Sequence, residues 1–380
     1  MAGIYIHIPF CKTACNYCNF HFSTSMNMKN DFVQALLKEI ELRNIYLGLE
    51  TIESIYFGGG TPSLLEAEDL KQIFEALYKQ YKIASDAEIT LEANPDDIDK
   101  EKLLVWKQSG INRLSIGTQS FIERDLQFMK RVHTAEEAKK SILLAAESGF
   151  DNITIDLIYG VPNQSEMDWL SNLSMAMDLP IQHLSCYALT VEEDTILFHD
   201  IRKGKTAAPI DENASTHFDI LMAFAAENGI EHYEISNFCK PGFESKHNTS
   251  YWQNKAYIGL GPSAHSFNKI SRQWNIANNK KYIDALNENK LLFEEETLTK
   301  TERLNEYIMT GLRTKWGIDL SYIDEVFDKK KELMNKIGNE DQSLFEWEIK
   351  RSKKGTAFIY KLSNKGMHFA DRIASNLFFD

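Results

Sequence analysis

Short runs of apolar and β-branched residues recur along the chain, and each is followed by a longer stretch of helical periodicity. Short apolar runs favour strands, whereas apolar positions three and four apart favour amphipathic helices. The strand-like runs are GIYIHI, IESIYF, AEITLE, RLSIGT, NITIDLIY, HLSCYAL and IEHYEI. The helical stretches include DFVQALLKEIELRNIYL, EAEDLKQIFEALYKQ, TAEEAKKSILLAAESG and NASTHFDILMAFAAENG, of which the last two end at glycines suited to a left-handed cap.

The alternation of strands and helices predicts an α/β fold with a parallel sheet. Six or more such units indicate a full or partial α/β barrel, and we take a partial (β/α)6-type barrel as the fold class. Ligands of these folds bind at the carboxyl ends of the strands. Candidate site residues should therefore follow the strand-like runs.

From about residue 300 the pattern changes to helices, a short hairpin and a final helix, in RLNEYIMTGLRTKWGIDLSYIDEVF, DKKKELMNK and TAFIYKLSNKGMHFADRIASNLF. This order resembles a winged-helix module. We predict a core barrel with a following extension over residues 1–295 and a C-terminal winged-helix-like α+β domain over residues 296–380. Winged helices commonly bind DNA, but the acidic chain and the lack of a basic recognition face favour a packing or lid role.

Composition and charge limit the classes of protein to which this chain can belong. The chain has 380 residues, of which 43% are hydrophobic and 26% charged, as in ordinary soluble proteins. The apolar start GIYIHIPF lacks a basic segment and a small-residue cleavage site, so we expect no signal peptide and a cytoplasmic location. The net charge of −13 disfavours binding to a polyanion, so nucleic acid is not an expected partner.

Three cysteines, Cys11, Cys15 and Cys18, lie close together in FCKTACNYCNFHF, directly after the first predicted strand. In a cytoplasmic chain such clustering indicates metal binding rather than disulfides. The C-x3-C-x2-C spacing can bring three sulfurs to adjacent corners of an iron–sulfur cube and leave one iron without a protein ligand. The alternative is a zinc site, with His7 or His21 as the fourth ligand.

Polar and glycine residues follow the next strands. The second strand ends in YFGGGTPS, where the glycines at 58–60 and Thr61 allow a sharp turn and close backbone approach. This segment lacks the Gly-Lys-Ser/Thr of a P-loop. Glu92 in LEANP, Gln119 in SIGTQSF and Asp156 in IDLIYGVP end the following strands. Each alone is a common turn or cap residue, but at successive strand ends they form a ring.

The cysteine spacing and the glycine turn together resemble the radical S-adenosylmethionine (SAM) superfamily. The resemblance implies a [4Fe–4S] cluster held by the three cysteines, with the amine and carboxylate of SAM on the open iron and the glycine turn at the amino end of SAM. It also implies a lining for the SAM site, made of Tyr5, Tyr17, Gly59, Gly60, Thr61, Glu92, Gln119, Arg131, Asp156 and Ala188.

Within the superfamily, the ordered set YIHIPFC, FGGGTPS, LEANP, IGTQSF, DLIYGVP and CYALTVEEDT is similar to the group of oxygen-independent coproporphyrinogen III dehydrogenases and HemW-type heme chaperones. The dehydrogenases carry a further cysteine two residues after the third, where this chain has Phe20. The segment KHNTSYWQN contains the H-N-x-x-Y-W motif of the chaperone side. Both features favour the chaperone branch.

The motif residues His247, Asn248, Tyr251 and Trp252 are candidates for heme binding. An imidazole can ligate heme iron, and Tyr and Trp offer flat apolar faces to a porphyrin. The alternative is a structural loop in which His247 hydrogen-bonds and the aromatic rings pack. The motif is stronger evidence that the chain belongs to the chaperone branch than it is for the role of any one residue.

The resemblance implies a heme chaperone that binds a [4Fe–4S] cluster, SAM and heme and delivers heme to acceptor proteins. The alternative is a coproporphyrinogen III dehydrogenase, in which radical SAM chemistry drives oxidative decarboxylation. A third class, a cluster-bearing structural or redox-sensing module, does not need the glycine turn or the ring of polar strand ends. The expected partners are heme and heme-accepting proteins, and a transient membrane-protein acceptor and a homodimer are left open.

Overall fold

The computed structural model describes residues 2–352 and 355–380. Its strands are β1 (Ala2–Ile8), β2 (Ile52–Gly59), β3 (Ile83–Ala93), β4 (Arg113–Gln119), β5 (Ile153–Tyr159), β6 (His183–Ala188), β7 (Glu231–Glu234), β8 (Asn237–Cys239), β9 (Ala256–Leu260), β10 (His265–Phe267), β11 (Ser271–Asn275), β12 (Phe293–Thr297), β13 (Ile318–Asp319), β14 (Phe345–Ser352) and β15 (Gly355–Leu362).

The α-helices connect these strands. They are α1 (Lys29–Leu42), α2 (Ala67–Gln80), α3 (Lys100–Gln108), α4 (Glu123–Phe128), α5 (Ala135–Glu147), α6 (Glu166–Met177), α7 (Ile196–Arg202), α8 (Asp211–Glu227), α9 (Lys246–Trp252), α10 (Asn279–Asn287), α11 (Lys300–Leu312), α12 (Leu320–Phe327), α13 (Lys330–Gly338), α14 (Asn364–Met367) and α15 (Ala370–Leu377). Helices α2, α5 and α8 lie within two residues of the predicted stretches at both ends, whereas α1 ends five residues earlier than predicted.

Two of the predicted caps illustrate why these helices stop. Gly149 and Gly229 follow α5 and α8 with φ angles of +85° and +68°, a conformation that costs a glycine little. At its other end, α5 has a capping box, in which Thr134 and Glu137 each accept a hydrogen bond from the backbone of the other. No helix in the described part of the chain is long and apolar enough to cross a bilayer.

The main sheet has twelve strands in the order β12-β11-β10-β9-β1-β2-β3-β4-β5-β6-β8-β7. Strands β1 to β6 pair in parallel, which confirms the predicted six βα units of a partial barrel. The seventh run, IEHYEI, does not continue the series. It forms β7, and the β7–β8 hairpin joins β6 antiparallel. On the other side, β9 pairs in parallel with β1 and starts an antiparallel extension.

The barrel strands have two chemically different faces because side chains alternate along a strand. In β1, Ile4, Ile6 and Ile8 are at most 1% exposed and belong to the hydrophobic core under the helices. The intervening Tyr5 and His7 point the other way, into the barrel, where Tyr5 stands beside Tyr56 of β2. The apolar face fixes the register, and the polar face is left for the site.

The C-terminal elements have a hydrophobic core of their own. Helices α11 to α13 precede the β14–β15 hairpin, β13 completes a three-stranded sheet, and α15 ends the chain. This order agrees with the winged-helix-like module expected from the sequence. The domain boundary at residues 295 and 296 falls within β12 and stays a prediction.

Candidate functional site

The cysteine loop leaves the carboxyl end of β1 and returns beside it. The backbone N–H of Cys11 donates to Ser23 O at 3.0 Å, and the N–H of Ser23 donates to Pro9 O at 2.9 Å. These two bonds close the loop at its base. Cys11, Cys15 and Cys18 are half-buried within it and form no disulfides. Three free thiols are thus held on one loop at the end of the barrel where ligands of such folds bind.

Two of the sulfurs have polar neighbours, Thr61 just after β2 and Arg131 just after α4. Thr61 Oγ1 lies 3.5 Å from the sulfur of Cys11, and Arg131 Nη1 lies 3.2 Å from the sulfur of Cys15. Burial raises the pKa of Cys11 to about 11, and the nearby Thr61 hydroxyl and Arg131 charge act in the opposite direction. Burial also raises the pKa of Cys18. The apoprotein therefore holds these two groups as thiols, which must lose protons to bind iron.

The donor set fits a cluster better than a single ion. Within residues 2–352 and 355–380, no group of three or more His, Cys, Asp or Glu side chains is arranged to hold one metal ion. Of the candidate zinc ligands, His7 has partners on both ring nitrogens, with Nε2 2.8 Å from the His21 backbone O and Nδ1 3.1 Å from Tyr5 OH. His21 Nε2 lies 2.6 Å from Asn279 Oδ1. The three thiols remain, and thiolates are the ligands of iron–sulfur clusters.

The glycine turn packs against the start of the cysteine loop. Gly59 has a φ of +105°, and a Cβ there would lie 2.5 Å from the ring of His7. A Cβ on Gly60 would lie 2.6 Å from Phe10 O and 2.7 Å from Ile8 O. Because backbone atoms cannot move aside as a flexible side chain can, Gly60 tolerates no side chain without displacing the loop. The close approach explains why glycines occupy this strand end.

Two carboxyl groups face the barrel interior, Glu92 near the end of β3 and Asp156 at the middle of β5 rather than at the strand end that the sequence predicts. Tyr56 OH donates to Glu92 Oε1 at 2.8 Å. Burial raises the pKa of Glu92 to about 7, although this hydrogen bond lowers it, and the charge of Asp156 adds to the increase. Burial likewise raises the pKa of Asp156 to about 6, against hydrogen bonds from Ser185 and Ser115. Two carboxyls that titrate near neutral pH can each hold or release a proton when a cation arrives.

Arg131 connects several of the predicted residues. Its Nη2 donates to Asn94 Oδ1 at 2.6 Å and to the backbone O of Gly117 at 2.9 Å, while Nη1 reaches Cys15. Asn94 Nδ2 in turn lies 3.4 Å from Thr61 Oγ1. Gln119 adopts a φ of +66° at a register shift between β4 and β5, close to the same guanidinium.

The structure therefore gathers most of the predicted SAM-site residues at one end of the sheet. Tyr17 is within electrostatic reach of Arg131, Cys15 and Asp156, and Tyr5 is within reach of Glu92. Ala188 ends β6 beside Tyr159 of β5, and no side-chain contact connects it to the others in the described chain. The sequence prediction missed four neighbours. Tyr56 bonds to Glu92 and Asn94 to Arg131, while Ser185 and the charge of Arg113 lower the pKa of Asp156. Of these, Asn94 had a local signal, which is the two-residue spacing that puts it on the same face as Glu92.

The H-N-x-x-Y-W segment forms helix α9, which packs against β1 and β2. The N–H groups of Lys246 and His247 donate to the buried carboxylate of Glu88 at 3.0 and 3.1 Å. Ser245 Oγ caps the helix by accepting a bond from the N–H of Asn248. A strand residue thus satisfies the first donors of a helix that follows it by more than 150 residues.

Both ring nitrogens of His247 have partners inside the protein. Nδ1 lies 2.8 Å from Ser54 Oγ, and Nε2 lies 2.8 Å from Tyr251 OH. The ring stacks on Tyr56 with centroids 5.1 Å apart, and the residue is 2% exposed. Burial lowers the pKa of His247 to about 3. In this conformation His247 has the structural role that the sequence left open, and axial ligation would require it to break a hydrogen bond.

The other motif residues point to different neighbours. Asn248 Nδ2 lies 3.3 Å from Glu234 Oε1. Trp252 Nε1 is buried and has no acceptor in the described structure. The guanidinium of Arg313 lies 6.0 Å from the Trp252 ring centroid, and its Nε is also buried without a partner. Phe20, by contrast, is 67% exposed on the cysteine loop and takes no part in the core.

Comparisons with known proteins agree with this geometry. The family model of the radical SAM superfamily matches residues 5–176. The heme chaperone HemW of Bacillus subtilis is 35% identical over 91% of this chain and 89% of its own length. HemW of Lactococcus lactis is 35% identical over 85% of this chain and 84% of its own length.

A solved structure supports the fold. Coproporphyrinogen III oxidase (HemN) from Escherichia coli, described as a radical SAM enzyme, superposes with a TM-score of 0.83. It covers 99% of this chain and 89% of its own length at 21% identity, so the likeness extends through the C-terminal module. At 21% identity, this likeness supports a shared fold and carries no argument about function. The two HemW relatives are similar over nearly the whole chain, and this protein belongs to the HemW family.

Proposed function

We propose that the protein is a heme chaperone of the cytoplasm that binds a [4Fe–4S] cluster, SAM and heme and delivers heme to acceptor proteins. The observation that carries this proposal is 35% identity to a heme chaperone over 91% of the chain. Phe20, which stands where the related enzymes have a cysteine, adds to it.

The cluster would be held by Cys11, Cys15 and Cys18. When bound through three thiolates, a [4Fe–4S] cluster presents one iron to a further ligand and exchanges single electrons. Arg131 places a positive charge at the Cys15 sulfur, and Thr61 places a hydroxyl at the Cys11 sulfur. The Thr61 contact lowers the pKa of Cys11 against the larger effect of burial, and the Arg131 contact fixes the position of Cys15 in the loop.

SAM would lie against the glycine turn and the carboxyl groups. Gly59 and Gly60 let the end of β2 lie directly against the start of the cysteine loop, because neither carries a side chain that would separate the two. Glu92, with its pKa near 7, can ionise when a ligand ammonium or hydroxyl group comes close. Asp156, two strands further along the sheet, can act in the same way.

For heme, we propose a site near α9 that includes Tyr251, Trp252 and Asn248. A buried indole N–H without an acceptor is costly, and a carboxylate such as a heme propionate would supply one to Trp252. The unpartnered Nε of Arg313 would gain from the same carboxylate. His247 supports this helix from beneath, through Ser54 and Tyr251.

One experiment separates the chaperone from the alternative enzyme. Anaerobically reconstituted protein is titrated with heme, and a parallel sample is given coproporphyrinogen, SAM and a reductant. We expect saturable heme binding and no decarboxylated product. The Phe20→Cys variant serves as the matched control, and we expect it to gain no turnover because one position does not make a substrate site. Turnover by the wild type without heme binding would contradict the proposal.

A further inference from the structure

The hairpin of the C-terminal sheet carries apolar side chains that the C-terminal core does not cover. Residues directly opposite one another in an antiparallel pair share a face. Trp347 is paired with Tyr360, and Ile349 is paired with Phe358. On the same face Leu362 packs into the core, but Trp347 is 65%, Ile349 47% and Phe358 39% exposed. Exposed apolar residues clustered in this way commonly mark an interaction surface.

The exposed face forms one wall of a groove. The opposite wall comes from the start of α12 and from α13, and the groove has a volume of about 270 Å³. Its lining is mostly apolar, and the side chains that matter here are Leu320, Met334, Trp347, Phe358 and Tyr360. A volume of this size accommodates one or two side chains of a bound segment. Methionine and aromatic residues are common in grooves that accept apolar peptide side chains.

Lys330 and Glu348 are the charged residues that line this groove, and Lys330 Nζ lies 5.5 Å from the ring centroid of Phe358. Arg351 lies beyond Ile349 on the same face of the hairpin. In the part of the chain that the structure describes, no carboxylate pairs with either of them. Glu348 is already paired with Lys350 at 3.0 Å and with Lys361 at 2.7 Å. Two unpaired cations beside an apolar groove are notable in a chain with a net charge of −13.

We propose that this groove binds a short segment of a partner protein in which apolar side chains are flanked by Asp or Glu. The apolar side chains would enter between Met334 and the hairpin, and the acidic ones would pair with Lys330 and Arg351. A protein segment fits better than a bilayer because the surface is concave, and a membrane is met by a convex one. The proposal is independent of heme, cluster and SAM binding.

The test uses the full-length protein and a displayed library of random dodecapeptides. Recovered peptides are synthesised, labelled and titrated by fluorescence polarisation against the wild type and three variants. Trp347→Ser removes the apolar wall, and Lys330→Glu reverses the rim charge. Met167→Ser is the matched control, because Met167 is also an exposed apolar residue, 73% exposed, but lies on α6. Circular dichroism verifies that each variant is folded.

We expect the recovered peptides to share apolar residues flanked by carboxylates. Their affinity should fall about tenfold in Trp347→Ser and severalfold in Lys330→Glu, and remain unchanged in Met167→Ser. Heme binding should be equal in all four proteins. Recovery of no peptide whose binding depends on Trp347 would overturn the proposal. So would binding to vesicles of anionic phospholipid that is lost in Trp347→Ser, because it would assign the surface to a membrane.

Discussion

Replacing His247 by alanine tests whether this residue supports the barrel or ligates heme. The change removes a ring that bonds to Ser54 and Tyr251 and stacks on Tyr56. Each lost hydrogen bond costs about 1 kcal/mol, and the cavity left by a buried ring costs about 2 kcal/mol more. We therefore expect the free energy of unfolding to fall by about 3 to 4 kcal/mol. His199→Ala is the matched control, since His199 is exposed on α7.

The same substitution has a pH signature whose sign follows from the pKa. His247 has a pKa of about 3 in the folded protein, below the ordinary value of 6.5. Between these values the unfolded chain binds a proton that the folded chain does not, so protonation destabilises the fold as pH falls through this window. At pH 5 this amounts to about 2 kcal/mol. The stability difference between the wild type and His247→Ala should therefore shrink by about that amount between pH 7.5 and pH 5.

Urea unfolding followed by circular dichroism measures both effects, and a heme titration of the same samples measures the Soret band. We expect His247→Ala to lose stability and to bind heme with an unshifted Soret maximum. A variant as stable as the wild type would refute the packing argument. A shifted Soret maximum at unchanged stability would make His247 a ligand.

Three further predictions concern the cluster and SAM sites. Cys15→Ala should lose the iron that the wild type retains after anaerobic reconstitution, whereas Cys186→Ala, at a buried cysteine outside the loop, should retain it; equal iron contents would place the cluster elsewhere. Glu92→Gln should stabilise the apoprotein at pH 8 by about 1 to 2 kcal/mol, because the raised pKa makes ionisation of Glu92 costly in the folded protein. The same variant should bind SAM more weakly in calorimetry, and an unchanged affinity would show that Glu92 is not part of the SAM site. Gly60→Ala should destabilise the protein by about 1 to 3 kcal/mol and reduce the effect of SAM on the EPR signal of the reduced cluster. A variant in which SAM has its full effect would show that the close approach of Gly60 to the cysteine loop is not needed for SAM binding.

The sequence predicts those parts of the fold in which buried apolar side chains alternate with polar ones. Ile4, Ile6 and Ile8 alternate with polar residues, so the barrel strands could be recognised. Strand β12 could not, because all five of its residues are exposed and its sequence, FEEET, has no apolar alternation. It is held by register with β11, where Arg272 is paired with Glu296. Local pattern carries no information about such pairing.

In the functional site, too, local motifs could be predicted from the sequence and contacts between distant residues could not. The three cysteines and the glycine turn are local motifs, and their place after β1 and β2 was predicted correctly. The bond from Arg131 to Cys15 joins residues 116 apart in the chain, and that from Glu88 to the N-terminus of α9 spans 158. Neither partner is distinctive alone, since an arginine or a glutamate is usually a surface residue. Only the fold brings each pair together.

The hydrogen bond between His21 and Asn279 has a consequence for how the protein is made. These residues are 258 positions apart, and the bond fastens the end of the cysteine loop to the start of α10. A ribosome adds about 5 to 20 residues per second, so the loop emerges about 13 to 50 seconds before its anchor. During that interval β1 also lacks its neighbour β9. We therefore expect the three thiols to be most open to oxidation while the chain is still being synthesised, before α10 secures the loop.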